Sequence, residues 1–304
     1  MIKNELPKDL ATALDCAIRD SNGSMARGYK MKNGKDDQYN NYMSNEEWDD
    51  YLAKMDQAHK RQYGMGAGGE LKAGKYPPKM ASFGSSSRLI YELSKDFDGF
   101  IFEERLDTRV GGVANLDGFL RKGSKYIYVE AKRREIYSPS HERQDIKSVY
   151  EPVYEWIKGN SSQFDFTSER GNVENGEETK KITFKINEKP IKYFDLKQLI
   201  CHYLGITYDI AKHSTHNVTI KFLYLLYNPN KVEEKIDKHY RKKVMDRYKE
   251  VKSFINANRE ILESIFKVVL QYQIEMHNLE KPQIDNFEFK LVDQNNYQSE
   301  LTDI

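Results

Sequence analysis

Three residues in the middle of the chain have the types and spacing that phosphate chemistry needs. They are Asp117, then Glu130 and Lys132, with twelve residues between the two acids. If residues 125–133 form a strand, side chains alternate between its two faces. Ile127, Val129 and Ala131 then share an apolar face, and Tyr126, Tyr128, Glu130 and Lys132 share the other. A hairpin through Lys122-Gly-Ser124 brings Asp117, on the preceding strand, beside Glu130. Two converging carboxylates make a site for a hard divalent cation such as Mg²⁺, which prefers oxygen ligands, with an ammonium next to it. The same alternation also describes a strand pair with one wet face and a surface Glu–Lys ion pair, an arrangement worth little. The surrounding elements decide between the two.

Those elements follow one another in a regular order. Residues 85–94 read as a Ser-capped helix with Leu89, Ile90 and Leu93 on its apolar side. Three strands are expected at residues 99–106, 114–121 and 125–133, with Gly111-Gly112 and Lys122-Gly-Ser124 as turns. A helix is expected over residues 141–158. Residues 159–179 hold five acids and one base and read as a surface insertion. Residues 194–213 read as a helix carrying Leu196, Leu199, Ile200 and Tyr203, and residues 218–227 as the most apolar strand, closed by Asn228-Pro229. The tail carries two helical stripes, Ile236 to Ile255 and Ile261 to Leu270, on either side of Asn258. The first seventy-odd residues read as an accessory region. It has a loop over residues 21–42, a capping box at Ser44-Asn-Glu-Glu47, and a helix with Trp48, Leu52, Met55 and His59 at helical spacing.

This set of elements and residues resembles the PD-(D/E)xK nuclease superfamily, the restriction-endonuclease-like fold. The resemblance lies in Leu116-Asp117, Glu130-Ala131-Lys132 and the helix–three-strand–helix–strand order over about Ser85 to Tyr227, roughly half the chain. Leu116 stands where the name-giving Pro would be. The resemblance implies an α/β fold with a central mixed sheet flanked by helices and with helical N- and C-terminal additions. Residues 1–80 would be the accessory region with its linker, 81–230 the core with an insertion around 136–190, and 231–304 a C-terminal helical region. It also implies that Asp117, Glu130 and the main-chain carbonyl of Ala131 hold Mg²⁺, for which Mn²⁺ can substitute, and that Lys132 acts on the attacking water and the phosphate. Gln198 would be the auxiliary glutamine, with Gln144 as a rival for that role because the insertion before Gln198 is long. Glu92 would be an acid that helps hold a second metal. The activity implied is Mg²⁺-dependent hydrolysis of double-stranded DNA, as in a type II restriction endonuclease, by a homodimer whose two sites cut two strands. A repair, recombination or mobile-element nuclease of the same fold, and a DNA-binding or interaction protein without turnover, are the alternatives.

Other signals are subordinate. Arg121, Lys122, Lys125, Arg133 and Arg134 cluster in sequence around the acids and are expected to include DNA contacts. Residues 231–252 hold nine Lys or Arg against five acids, Arg241 and Lys242 among them, and read equally as a phosphate-tracking helix or a solvated face. Gly64-Met-Gly-Ala-Gly-Gly69 matches a dinucleotide fingerprint, but a helix precedes it and Pro77-Pro78 follows where a strand and a helix are required. Gly69 to Lys75 resembles a P-loop with Tyr76 where Ser or Thr would ligate Mg²⁺, and a linker is the better reading. His213 and His216 have a spacing compatible with metal ligands but no Cys near them, and Cys201 reads as a core residue.

Composition bounds the rest. Among 304 residues, 38% are hydrophobic, 31% charged and 12% aromatic, too many aromatics for a disordered chain. Lys and Arg number 48 against 47 acids, so a net charge of +1 points to no particular partner. The longest uncharged apolar run, residues 222–227, is far short of the ~20 residues of a membrane helix. The first residues lack an apolar leader, and two cysteines build no disulfide framework, so a cytoplasmic globular protein without membrane association is expected.

Overall fold

The centre of the fold is set by a two-residue turn. Gly123 takes a left-handed φ of 61°, which glycine reaches without a Cβ penalty, and Lys122 pairs with Lys125 across it. The computed structural model describes residues 9–21, 45–55, 57, 60, 85–137, 144–174, 177–213 and 216–303. In it the elements run α1 (Leu10–Ser21), α2 (Asn45–Lys54), α3 (Ser86–Ser94), β1 (Ile101–Asp107), β2 (Val113–Lys122) and β3 (Lys125–Lys132). Then come β4 (Gln144–Lys147), α4 (Glu151–Asn160), β5 (Phe164–Glu174), β6 (Glu177–Ile186), β7 (Lys189–Pro190), α5 (Leu196–His213) and β8 (Val218–Leu226). The chain closes with α6 (Lys238–Ala257), α7 (Arg259–His277), β9 (Ile284–Val292) and α8 (Tyr297–Thr302).

Five strands form a mixed sheet in the order β1-β2-β3-β8-β9. The first two pairings are antiparallel, and β3–β8 and β8–β9 are parallel. Parallel strands are covered on both faces, which accounts for the unbroken apolar run Phe222 to Leu226 in β8. Helices α3 and α5 pack on this sheet and α7 packs on α5, giving the α/β architecture with a helix-flanked mixed sheet that the sequence leads one to expect. Gly205 lets α5 approach closely: a Cβ there would lie 2.7 Å from Ala114 Cβ and 2.8 Å from Leu106 Cβ. Beyond α5 the layers are locked by aromatic packing, with Phe266 of α7 stacked on Phe287 of β9 at 3.7 Å between centroids.

Several sequence expectations are corrected. Residues 144–147 are a strand rather than part of a helix, and the helix expected over 141–158 begins at Glu151; residues 141–143 lie outside the described residues. The polar stretch 159–179, expected as a surface insertion, carries strand structure. Phe164, Phe166, Ile182, Phe184 and Ile186 alternate inward and make β5 and β6 a hairpin, which with β4 forms a second sheet in the order β4-β6-β5. The tail is not a purely helical addition: β9 joins the central sheet along β8, so residues 284–292 complete the core. The N-terminal region contains α1, whose Leu14 and Ala17 are buried. Ser44, His59, most of the 21–42 loop, the two glycine-rich motifs and Pro77-Pro78 lie outside the described residues. Among the described residues no helix is long and apolar enough to cross a membrane.

Candidate active site

Asp117 sits where the ladder on both sides of β2 breaks. Toward β1, Phe102 pairs with Gly118 and Glu104 with Leu116, and the register passes over Glu103, which has a φ of 58°. Such a conformation is costly for a residue with a Cβ and marks a local departure from the regular pleat. Toward β3, pairing stops at Gly118 and Val129. The Asp117 side chain takes over: its Oδ2 accepts from the Ala131 N–H at 2.7 Å, and its Oδ1 accepts from the Ser86 hydroxyl on α3 at 3.2 Å. A carboxylate oxygen thus replaces a main-chain acceptor, and Asp117 is fixed beside residues 130–132.

Glu130 and Lys132 are buried, with 3% and 9% of their side chains exposed, and they pair with each other. Both faces of β3 are covered from Tyr126 on, so the wet-strand alternative does not describe it. Lys132 Nζ also donates to Gln198 Oε1 on α5 at 2.6 Å. His202, one turn further along α5, has Nε2 2.9 Å from Glu130 Oε2. Neither ring nitrogen is aligned for a hydrogen bond, so this is a close polar contact. Four elements, β2, β3, α3 and α5, therefore converge on the segment Glu130-Ala131-Lys132.

Burial and charge act differently on the three ionisable groups. For Glu130, burial alone would raise the carboxyl pKa, but Lys132 and then His202 outweigh it and bring it to about 2. For Lys132, burial would lower the ammonium pKa, and Glu130 overrides it and holds it well above the ordinary lysine range. For Asp117, burial pushes the carboxyl well above the ordinary range, and the negative charges of Glu130 and Glu103 push it the same way. The fold stabilises Glu130 as an anion and Lys132 as a cation, while it disfavours the charged form of Asp117.

That imbalance bears on a cation. Among the described residues no group of three or more His, Cys, Asp or Glu side chains is gathered to hold a metal. An ion here would take at most the two carboxylates Asp117 and Glu130, with the Ala131 carbonyl and water. Such a sparse oxygen set suits Mg²⁺, which keeps several waters and is bound through one or two carboxylates plus substrate phosphate. The donor chemistry fits a divalent cation, which would use the carboxylate lone pairs that Lys132 and His202 leave open on Glu130.

The structure brings Asp117, Glu130, Ala131, Lys132 and Gln198 together and leaves the other expected residues elsewhere. Gln198 is the glutamine that receives the Lys132 hydrogen bond; Gln144 stands on β4 of the second sheet, opposite Ile182. Glu92 is taken by arginines, accepting from Arg88 Nε at 2.7 Å and lying 3.5 Å from Arg133 Nη1. It braces α3 against the end of β3 and does not join Asp117. Arg133 is buried, with its guanidinium over the Tyr227 ring, so it is not placed to meet DNA. Arg121, Lys122 and Lys125 are exposed but lie at the hairpin end of β3, five residues or ~16 Å along the strand from Glu130. Arg121 stacks on Tyr126 there. Arg134, at the site's end of β3, is exposed and donates to Asp15 of α1 at 3.0 Å. Arg241 donates to the main-chain carbonyls of Glu234 and Ile236, closing the turn before α6, while Lys242 is exposed and paired with Asp246. His213 pairs with Asp209 and forms no metal cluster among the described residues.

Three residues at the site were not singled out in the sequence. Ser86 follows the expected helix cap; Glu103 shows no local signal; His202 had one, its i+4 spacing from Gln198. Glu103 is buried and accepts from Tyr51 Oη at 2.8 Å and Ser87 Oγ at 2.9 Å, which ties α2 and α3 to the strained point of β1. A cavity of about 480 Å³, bordered by Gly112, Lys147, Tyr150 and Cys201, reaches the site at Gln198. Comparisons of the chain with protein-family models, curated proteins and solved structures find no match.

Proposed function

We propose that this chain is a Mg²⁺-dependent DNA endonuclease with a restriction-endonuclease-like core. Its substrate would be double-stranded DNA and its working form a homodimer, as in a type II restriction enzyme. The observation that carries the reading is the meeting of Asp117 with Glu130-Ala131-Lys132 on adjacent strands, with Gln198 on Lys132. These residues come from separate parts of the chain, and burying them together has no return in packing. Perturbed ionisable groups gathered in this way favour a functional site over a structural one.

Asp117, Glu130 and the Ala131 carbonyl would hold the cation, which when bound neutralises charge on a phosphodiester and makes a water more acidic. The chain's own residues supply the rest. Lys132, kept protonated by Glu130, serves as an electrostatic partner for the charge that builds on the phosphate and not as a proton acceptor. Gln198 holds Lys132 from the α5 side, and with Glu130 on the other side the ammonium has one direction left in which to aim. Ser86 and the Ala131 N–H fix the rotamer of Asp117.

The test is digestion of mixed phage and genomic DNA by the purified protein with Mg²⁺ or EDTA, alongside Lys132→Ala. Discrete fragments that require Mg²⁺ are expected, with the variant slower by ~100-fold or more. Smearing with the same dependence would keep the chemistry and remove the sequence specificity. Cutting that survives EDTA, or that Lys132→Ala leaves intact, would overturn the assignment. Mg²⁺-independent binding without cutting would favour the non-catalytic alternative.

A further inference from the structure

We propose that His202 is a positioning residue of this site, holding the Glu130 carboxylate in place for a divalent cation; this rests on the nuclease reading above. The first observation is a match of two periodicities. Gln198 and His202 are four residues apart on α5, a rise of ~6 Å, and Glu130 and Lys132 are two apart on β3, a rise of ~6.6 Å. Running in opposite senses, the helix and strand set Gln198 on Lys132 and His202 on Glu130. Neither contact can shift by one residue without losing the other. Gly205, with no Cβ to hold α5 away from Leu106 and Ala114, permits the approach that both contacts need.

The second observation is that packing does not account for a histidine at this position. His202 is 2% exposed, and its ring lies 6.2 Å from that of Phe222. Among the described residues neither ring nitrogen has an aligned hydrogen bond. A buried polar group in that condition is destabilising, a cost that a leucine or methionine in the same place would avoid. Glu130 Oε2 lies 2.9 Å from Nε2. With Lys132 on Oε1 and the His202 ring 2.9 Å from Oε2, the Glu130 carboxylate is bounded on both sides before a cation arrives. Outer partners of this kind orient a ligand and are worth about 10–100-fold in metal affinity.

The experiment compares the full-length wild type with His202→Met and His202→Gln, side chains of similar length and volume of which only the second carries an N–H donor. Mn²⁺ alone is titrated into each and followed by electron paramagnetic resonance, with Asp117→Asn as the control for site occupancy. The expected result is Mn²⁺ affinity ~10–100-fold weaker in His202→Met and restored to within about threefold in His202→Gln. Cleavage should follow the same order, through kcat and not through the KM for DNA. Wild-type Mn²⁺ affinity in His202→Met, or equal losses in both variants with unchanged urea midpoints, would overturn the proposal. If neither variant folds, His202→Leu against His202→Asn makes the same comparison at shorter length. Wild type that binds Mn²⁺ no better than Asp117→Asn would be a failure of the nuclease reading itself, and the role of His202 would fall with it.

Discussion

In the second sheet, Lys180 pairs with Glu151 while both side chains keep a quarter to a third of their surface exposed, at 33% and 25%. In the central sheet, Lys132 pairs with Glu130 at 9% and 3%. The two pairs have the same chemistry in different surroundings. The second sheet is held by an aromatic cluster in which Tyr154 packs edge-on to Phe184 at 5.0 Å and Phe164 and Phe166 are buried, and its charges lie outside that cluster. The central sheet encloses its charges and surrounds them with further polar groups, Asp117, Gln198 and His202. An exposed pair gains little and costs little. A buried pair is weak evidence for stability, because apolar replacements of the same shape often do as well. The charges of the second sheet thus behave as surface charges, and the burial of those in the central sheet is what the proposed function would account for.

Replacing one member of each pair puts that difference to a graded test. Glu130→Gln leaves the buried Lys132 without its counter-charge and puts a neutral amide against His202. A loss of ~3–5 kcal/mol is expected on urea unfolding, together with loss of cleavage. A variant as stable as wild type would show that water reaches Lys132 freely and that the pair belongs with the surface pairs. At the other end of the scale, Lys180→Ala should cost no more than about 1 kcal/mol and leave DNA cleavage unchanged. A larger cost would mean that the second sheet depends on its charges, and the contrast between the sheets would narrow.

The sequence exposes these two regions unequally, for physical reasons. The hairpin of β2 and β3 was legible because period-two alternation and a glycine turn are local, and α5 and β8 because their apolar patterns are strong. Asp117, Glu130, Lys132 and Gln198 were legible as a set through the order of elements around them. In the second sheet, residues 159–179 read as a surface insertion because five acids and one base leave few apolar anchors, and β4 falls within the helix expected over 141–158. Strand β9 has its own alternation in Phe287, Phe289 and Leu291, but it follows two long helical stripes that led to a purely helical tail. Glu92 and Arg133 were misplaced for a different reason. Arg133 adjoins Lys132 in sequence and Glu92 matches a first-helix acid of the resemblance, but a partly buried ion pair between them removes both from the site. His202 and Glu103 depend on contacts between elements that no local pattern encodes.

On the proposed function, Asp117 is kept for a cation and not for the fold. Its carboxyl sits above the ordinary range through burial and the charges of Glu130 and Glu103. The folded chain thus holds that proton to higher pH than the unfolded chain does, and stability falls as pH rises from about 4 toward neutrality. Asp117→Asn, which keeps an acceptor for the Ala131 N–H, should lack that decline. The most direct measurement is urea unfolding of wild type and Asp117→Asn at neutral pH, with EDTA and then with saturating Mg²⁺. The account predicts that the variant is the more stable of the two in EDTA. With Mg²⁺ at a hundred times its dissociation constant, wild type should gain ~2.7 kcal/mol and overtake a variant that gains nothing. Equal responses of the two proteins to Mg²⁺, or a variant already less stable in EDTA, would contradict it.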